Sequence, residues 1–282
     1  MAFAFIETKQ DGGVLIIALN DPKTRNALGR QIVDEIEREL DRFENDPECR
    51  VLVLTGKDPA FCSGANVQGF ANRINEDEKA RTTAASTEPK PWARLDANYS
   101  PAAMDFGARS IVLRLHKLQK PSIAAVNGPA YGLGCGLSLS CDIRIASENA
   151  RFSEAFVRNG LIPADGSAWQ LPRMIGLSNT LLMQYTGDVF TGEEAVKLGL
   201  ASKVVPHDEL MNETMRLAQR LAHGPTFSMA LIKYLVMHSM NTDLETSMRM
   251  AGPAQELARQ TEDHKEGVTA FLEKRTPNFK GR

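Results

Sequence analysis

The stretch from Lys120 to Phe152, KPSIAAVNGPAYGLGCGLSLSCDIRIASENARF, constrains the fold of this chain more than any other. It begins with an apolar, β-favouring run at 122–126 and a turn at Asn127-Gly128-Pro129. A glycine-spaced segment at 132–136 then leads into a short apolar run, and a second strand-like run follows at 143–146. This order predicts a strand, a tight turn, a helix and another strand.

Gly132, Gly134 and Gly136 alternate at the predicted helix start, and this spacing has two interpretations. Glycines in such a place allow backbone N–H groups to approach a ligand, where the helix dipole favours negative charge. They also allow a helix to pack closely against a strand, and the spacing alone favours neither interpretation. The segment lacks the spacing of the dinucleotide fingerprint, so no nicotinamide or flavin is implied.

A second stretch has a similar organisation. Residues 51–56 form a buried-strand pattern, and the loop Phe61-Cys62-Ser63-Gly64-Ala65-Asn66-Val67 follows. Together the two stretches resemble the enoyl-CoA hydratase/isomerase (crotonase) family. That family carries a Phe-x-x-Gly-Ala-Asp-Leu-like loop and, further on, a Lys-Pro-x-Ile-Ala-Ala-Val segment before its glycines. The resemblance runs from about Phe5 to Lys280.

The resemblance implies an α/β fold, a crotonase-like spiral of β-β-α repeats with a helical C-terminal oligomerisation region. We expect the spiral core at residues 1–205 and the helical region at 206–282, which in this family packs trimers that are commonly paired into hexamers. Residues 70–103 are a polar, proline-containing insertion in the core, either a lid beside the acyl pocket or a surface excursion.

Hydrophobic periodicity adds the other elements. A hairpin is predicted from 3–9 and 14–19, an amphipathic helix at 31–43 and another at 105–118. Beyond Phe152 the chain becomes largely helical, with a short strand at 202–205 and a kink or break at Gly252-Pro253. The helices predicted there cover 166–174, 180–186, 191–198, 208–223, 226–239, 242–259 and 263–273.

Composition and charge argue against several classes of partner. A formal net charge of −2 and a pI near 6.2 give no electrostatic reason to expect nucleic acid or an anionic membrane. No apolar run reaches the length of a membrane span, and the N-terminus lacks secretory or transit features, so we expect a cytoplasmic protein. The four cysteines show no metal-ligand spacing, and Cys62 or Cys135 as a nucleophile would lack an obvious neighbouring base.

By the resemblance, the backbone amides of Ala65 and Leu133 form an oxyanion hole. Such a pair holds the thioester oxygen of an acyl-CoA as it gains enolate charge, and each donor is worth about 3–4 kcal/mol of transition-state stabilisation. Leu133 stands where the family usually has glycine, which keeps the backbone donor but adds bulk. The resemblance implies no metal. It also implies no separate cofactor, because coenzyme A is part of the substrate.

The resemblance also assigns residues that contact the substrate. Arg25 and Ala27 match positions that meet coenzyme A, as do Phe279 and Lys280 near the C-terminus, sometimes across subunits. Arg25 and Lys280 equally fit ordinary solvated charges. The residues expected to line the acyl pocket are Tyr131, Gly136, Phe156 and Trp169, although core packing explains the tyrosine and the tryptophan equally well.

Both glutamates that typical hydratases of the family use to hold water and transfer protons are absent. Gly136 and Phe156 stand at these positions. Because the loss of one acid or base costs roughly 10²–10⁴ in rate, an ordinary two-glutamate hydratase is not expected.

Asp165 is the leading replacement. Other branches of the family, dienoyl-CoA isomerase and chlorobenzoyl-CoA dehalogenase, place an aspartate at the position of its neighbour Ala164. An aspartate just before a predicted helix also suits an N-cap, so both roles stay open. Glu154, two residues before the lost position at Phe156, is a second candidate.

The sequence therefore predicts an acyl-CoA-processing lyase or isomerase of the enoyl-CoA hydratase type. The alternative is a catalytically degenerate acyl-CoA-binding subunit or regulator. A protein-interaction scaffold without affinity for coenzyme A is a third hypothesis, against which the intact oxyanion segments argue.

Overall fold

The computed structural model describes residues 3–66 and 109–282. The predicted insertion at 70–103 lies outside the described residues, as do residues 105–108 of the helix predicted at 105–118. No helix in the described ranges is long and apolar enough to cross a membrane.

A six-stranded sheet forms the centre of the molecule. Its first two strands pair antiparallel, as the predicted hairpin requires, and the remaining pairs are parallel. In sheet order the strands are β1 (Ile6–Asp11), β2 (Val14–Leu19), β3 (Val51–Gly56), β4 (Ser122–Val126), β6 (Ile143–Ser147) and β9 (Lys203–Val205).

A second, three-stranded sheet lies beside the first and was not predicted. It contains β5 (Pro129–Tyr131), β7 (Arg151–Ser153) and β8 (Phe190–Thr191). Strands of two or three residues are too short to show an alternating pattern, which explains why the sequence indicated only a turn at 127–129.

Helices cover the sheets and form most of the C-terminal part. The two helices predicted at 166–174 and 180–186 fall within one helical segment that is interrupted at Gly176 (φ 77°, ψ 165°). A kink or break was predicted at Gly252-Pro253; the helix continues through Pro253, so the break did not occur, and a kink there stays a prediction. The helices are α1 (Arg30–Asn45), α2 (Ser110–Lys117), α3 (Leu133–Leu139), α4 (Ser167–Thr186), α5 (Gly192–Leu198), α6 (Leu210–Ala222), α7 (Thr226–Ser239), α8 (Leu244–Arg259) and α9 (Glu262–Glu273).

The central strands β3 and β4 of the main sheet are buried on both faces, which explains their near-continuous apolar runs. On one face, side chains of alternate strand positions pack in a cluster with α1, α2 and α3; on the other they pack against α6. Leu210, Ala218 and Ala222 of α6 lie in this core. Part of the region predicted at 206–282 therefore packs directly against the main sheet. The division after residue 205 stays a prediction.

Asn26 joins the loop before α1 to the loop after β3. Its side chain is fully buried, and its Nδ2 donates to the carbonyl oxygens of Lys57 (2.9 Å) and Ala60 (2.7 Å). Its Oδ1 accepts the amide of Asp21 at 2.9 Å. These bonds hold the Arg25–Ala27 turn against the segment that leads to Ala65.

The packing of α3 against Cys62 can be tested by a substitution at Gly134. A Cβ at this position would overlap the carbonyl oxygen of Cys62 and lie 2.8 Å from its Cβ. We expect Gly134→Ala to lower the free energy of unfolding by about 1–3 kcal/mol, although alanine is the better helix former. Gly252→Ala is the matched control, because Gly252 is helical and a Cβ there has no neighbour within 4 Å.

The control should instead raise the free energy of unfolding, by up to about 1 kcal/mol. Urea unfolding of both variants checks the pair. Equal changes in the two variants would contradict close packing at Gly134.

Candidate active site

The loop at 61–65 runs alongside β5. The amide of Cys62 donates to the carbonyl oxygen of Pro129, and its carbonyl oxygen accepts the amide of Tyr131, both at 3.0 Å. The loop therefore lies against the strand that leads directly into α3, and the two stretches singled out in the sequence become neighbours.

The amide of Ala65 points away from Leu28, its partner in a parallel β-bridge. Leu28 bridges Ala65 in parallel fashion, donating to the Gly64 carbonyl oxygen (2.7 Å) and accepting from the Asn66 amide (3.2 Å). In a parallel bridge the N–H of the middle residue faces the opposite side. The Ala65 amide is thus available to another acceptor.

Leu133 is the first residue of α3, so its amide has no partner within the helix. Gly132 precedes it with φ 51° and ψ −121°, a backbone conformation that only glycine adopts readily. A Cβ built on Gly64 would lie 3.6 Å from the Leu133 nitrogen. The Leu133 amide therefore lies close to Gly64, the residue before Ala65, and the role of both amides as oxyanion donors stays a prediction.

Asp165 lies against the first turn of α3. Its side chain is buried, and a Cβ built on Gly136 would collide with Oδ2 and lie 2.7 Å from Cγ. Its Oδ1 accepts both the amide (3.1 Å) and the hydroxyl (2.7 Å) of Ser167, the first residue of α4. Oδ2 has no hydrogen-bond partner among the described residues. One carboxylate oxygen thus holds the helix start while the other faces the space beside Gly136.

Glu154 lies next to this carboxylate and is fully buried. Its Oε2 is 2.8 Å from Ser167 Oγ, so one hydroxyl contacts both acidic side chains. Its Oε1 has no partner in the part of the chain that the structure describes. The sequence did not indicate Ser167, although an Asp-x-Ser spacing before a helix is typical of a local side-chain-to-backbone turn.

Burial raises the pKa of both carboxyl groups. For Glu154 the pKa lies well above its usual 4.5, and the neighbouring Asp165 raises it further, while hydrogen bonds oppose the shift. Burial likewise raises the pKa of Asp165, against opposing hydrogen bonds from Ser167. Two buried carboxyl groups bonded to the same hydroxyl disfavour a state in which both are negatively charged, and they suit proton transfer.

The buried thiols do not suit nucleophilic chemistry. Burial raises the pKa of Cys62 to about 12. It also raises the pKa of Cys135 well above its ordinary value, with the charges of Glu154 and Asp165 acting in the same direction. Because the thiolate is the nucleophile, neither cysteine is activated.

The other predicted pocket residues are spread over a wider area. The ring of Phe156 lies 3.5–3.8 Å from the position of a Cβ on Gly132, next to the Leu133 amide, and Tyr131 is half-buried in β5. Trp169 is 37% exposed and contacts His116 edge-on (5.3 Å between ring centroids). Their part in an acyl pocket stays a prediction.

The predicted coenzyme A contacts lie at opposite ends of β3. Arg25 and Ala27 flank Asn26, which bonds to the chain just after β3. The carbonyl oxygen of Phe279 accepts from Arg50, the residue just before β3, at 3.1 Å. Six strand residues span about 20 Å, so the chain does not itself bring Phe279 and Lys280 to the Arg25 turn.

No group of three or more His, Cys, Asp or Glu side chains in the described ranges has the arrangement of a metal site.

Comparison with known proteins identifies the family. The model of the enoyl-CoA hydratase/isomerase family matches residues 9–97 and 93–282. The chain belongs to this family. The resemblance noted in the sequence is thereby confirmed, and so is the crotonase fold.

Among relatives in the enoyl-CoA hydratase/isomerase family, a crotonyl-CoA hydratase of Syntrophomonas wolfei is 33% identical, with 99% of each chain covered. A 1,2-epoxyphenylacetyl-CoA isomerase of Escherichia coli is 34% identical, again with 99% of each chain covered. The crystal structure of an enoyl-CoA hydratase from Bacillus anthracis is similar with a TM-score of 0.84 and 30% identity, covering 99% of this chain and 100% of that one.

The raised pKa of Glu154 predicts a pH-dependent stability. Above the ordinary pKa of 4.5, the folded protein keeps a proton that the unfolded chain has released. The free energy of unfolding therefore falls as pH rises towards the folded-state pKa, by up to about 1.4 kcal/mol per pH unit for this group. Glu154→Gln removes this contribution, so the variant should lose less stability than the wild type between about pH 5 and pH 8.

Urea unfolding at a series of pH values measures the difference. Parallel pH profiles for the variant and the wild type would contradict a protonated Glu154.

Proposed function

We propose that this protein is an acyl-CoA lyase or isomerase in which the amides of Ala65 and Leu133 hold the thioester oxygen and Asp165 transfers the proton. The family membership supports the substrate class. The closeness of the Leu133 amide, at the start of a helix, to Gly64 next to Ala65 supports the oxyanion hole.

One observation carries the role of Asp165. Its Oδ2 fills the space that a side chain at position 136 would occupy. By the sequence resemblance, that is a position where typical hydratases carry a glutamate. A carboxylate is thus supplied to the same place from another element, and the absence of a side chain at Gly136 makes room for it.

The mechanism follows from this placement. The two amides stabilise the oxygen of the thioester as negative charge develops on it, because fixed donors in a site away from water need no reorganisation. Asp165 Oδ2 lies about one helical turn from the Leu133 amide along α3, within reach of carbons next to the thioester. Burial raises the pKa of Asp165 above that of an exposed aspartate, which makes the carboxylate a better proton acceptor.

The acyl group is an unsaturated or cyclic one in this proposal. The names of relatives include both a crotonyl-CoA hydratase and a 1,2-epoxyphenylacetyl-CoA isomerase, so both hydration and isomerisation occur among similar chains. The apolar ring of Phe156 beside Gly132 supports an apolar acyl chain near the Leu133 amide.

We also propose self-association as a trimer or hexamer. Large apolar side chains are exposed on α7, α8 and α9, among them Ile232, Leu244, Met248, Phe271 and Leu272. Contact between subunits would cover them and would allow the Phe279–Lys280 tail of one subunit to approach the Arg25 turn of another. Apart from coenzyme A as part of the substrate, the proposal requires no cofactor or metal, and a cytoplasmic location stays a prediction from the N-terminal sequence.

Asp165→Asn tests the function. We expect kcat on an accepted acyl-CoA to fall by roughly 10²–10⁴, while the dissociation constant stays within about threefold. Turnover of a panel containing crotonyl-CoA and cyclic acyl-CoAs, with calorimetry of binding, measures both quantities. Asp188→Asn is the matched control, because Asp188 is exposed and only distantly paired with Arg158 (3.9 Å).

The control should leave both quantities unchanged. Unimpaired turnover in Asp165→Asn would refute the role of Asp165. Tight binding of acyl-CoA without turnover by the wild type would favour the degenerate binding protein instead.

A further inference from the structure

Three buried side chains form a continuous chain of oxygen atoms beside α3. Ser167 Oγ lies 2.8 Å from Glu154 Oε2 and 2.7 Å from Asp165 Oδ1. Glu154 and Ser167 are fully buried and Asp165 is 2% exposed. Proton transfer along such a chain would not require bulk water.

The hydrogen bonds among Glu154, Ser167 and Asp165 determine how many protons the three side chains share. A serine hydroxyl carries one hydrogen and can donate it to only one of the two carboxyl groups. Were both groups ionised, the other short O···O contact would hold no proton and would place a charged oxygen against a lone pair. Burial makes such a contact costly, so one of the two carboxyl groups donates to Ser167.

The hydrogen bonds indicate which group holds this proton. Asp165 Oδ1 accepts the Ser167 amide as well as its hydroxyl, and both bonds favour the ionised form. Glu154 accepts no backbone amide among the bonds recorded for the described residues, and its Oε1 has no partner there. The pKa of Glu154 is also raised well above its usual value, chiefly by burial.

Among the described residues, the groups around the pair supply no compensating charge at Glu154. The Cys135 thiol of α3 faces the pair and is neutral, because burial raises its pKa. Arg144 of β6, whose positive charge opposes the rise in the pKa of Cys135, donates to the carbonyl oxygens of Leu200 (2.6 Å) and Cys141 (2.7 Å). Arg109 donates to the carbonyl oxygen of Ala164, the residue before Asp165, at 3.5 Å.

We propose that Glu154, Ser167 and Asp165 form a buried proton relay that holds one proton at neutral pH, with Glu154 as its resting position. Glu154 is then a positioning residue that sets the charge of Asp165 through Ser167. It donates Oε2–H to Ser167 Oγ, and Ser167 donates its own proton to Asp165 Oδ1.

Movement of both protons converts one state into the other. The Ser167 O–H bond breaks as Asp165 gains a proton, and the Glu154 O–H bond breaks as Ser167 regains one. Ser167 is unchanged, Glu154 becomes the carboxylate and Asp165 becomes the acid. This use of the relay rests on the proposed function, since it switches Asp165 between a carboxylate, whose Oδ2 beside Gly136 can take up a substrate proton, and a neutral acid with its proton on Oδ1, which cannot.

Infrared spectroscopy tests the resting proton without any substrate. We expect the wild type at pH 7 to show the carbonyl stretch of a protonated, buried carboxyl group, shifted in D₂O. The band should disappear in Glu154→Gln. In the wild type it should titrate away only at a pH well above 4.5, the ordinary pKa of a glutamate.

Glu35→Gln provides the matched control. Glu35 is also buried, but its two oxygens accept the amides of Ala4 and Phe5, so this variant should keep the band. Absence of the band from the wild type, or its persistence in Glu154→Gln, would overturn the proposal. The titration of the wild type decides the matter even if the variant fails to fold.

The pH dependence of turnover tests the relay itself. The side-chain amide introduced by Glu154→Gln can still donate to Ser167 but cannot release a proton. This variant should therefore lower kcat about 10–100-fold with KM nearly unchanged. The kcat profile should also lose the limb that reports deprotonation of the pair. A uniform decrease with the same pH profile would indicate a structural role and refute the relay.

Failure of the proposed function is distinguishable from failure of this inference. If the wild type turned over no acyl-CoA, the proposed function and the catalytic role of the relay would be refuted. The infrared band would still decide whether Glu154 holds the proton.

Discussion

The close contact between the loop at 61–65 and the β5–α3 segment is the constraint on which the site depends. Backbone bonds join Cys62 to Pro129 and Tyr131, and the start of α3 then lies directly over the loop. A side chain at Gly134 would overlap the Cys62 carbonyl group, so the approach of helix and loop requires a glycine there. This approach brings the start of α3, with the Leu133 amide, close to Gly64, the residue before Ala65.

The three alternate glycines of α3 have different physical roles. Gly132 adopts a positive φ that orients the amide of Leu133, Gly134 allows the close packing, and Gly136 leaves room for Asp165. The packing interpretation of this spacing is therefore correct for Gly134. The ligand interpretation remains a prediction for the amide that Gly132 orients.

Sequence reasoning could predict much of the fold because its signals are local. The apolar runs of β3 and β4, the periodicity of α1 and the order of the two motifs each depend on a few neighbouring residues, and the structure contains all of these elements. The short strands β5, β7 and β8 were missed because two or three residues carry no period. The break predicted at Pro253 did not occur, since local propensity does not decide whether a helix continues.

The acidic pair could be predicted only in part. Asp165 was named with both a catalytic and a capping role, and the structure shows one oxygen bonded at the start of α4 and the other facing Gly136. The sequence showed the absence of a side chain at Gly136 but not what occupies its space, because that depends on two elements packed against each other. The contact of Ser167 with both carboxyl groups depends on the same packing.

The most direct test of the central claim is a crystal structure with a saturated, unreactive acyl-CoA such as butyryl-CoA. We predict the thioester oxygen at about 3 Å from the amide nitrogens of both Ala65 and Leu133, with Asp165 Oδ2 facing the acyl carbons next to the thioester. A thioester bound away from these amides, or an Asp165 carboxylate turned away from the acyl chain, would contradict this prediction.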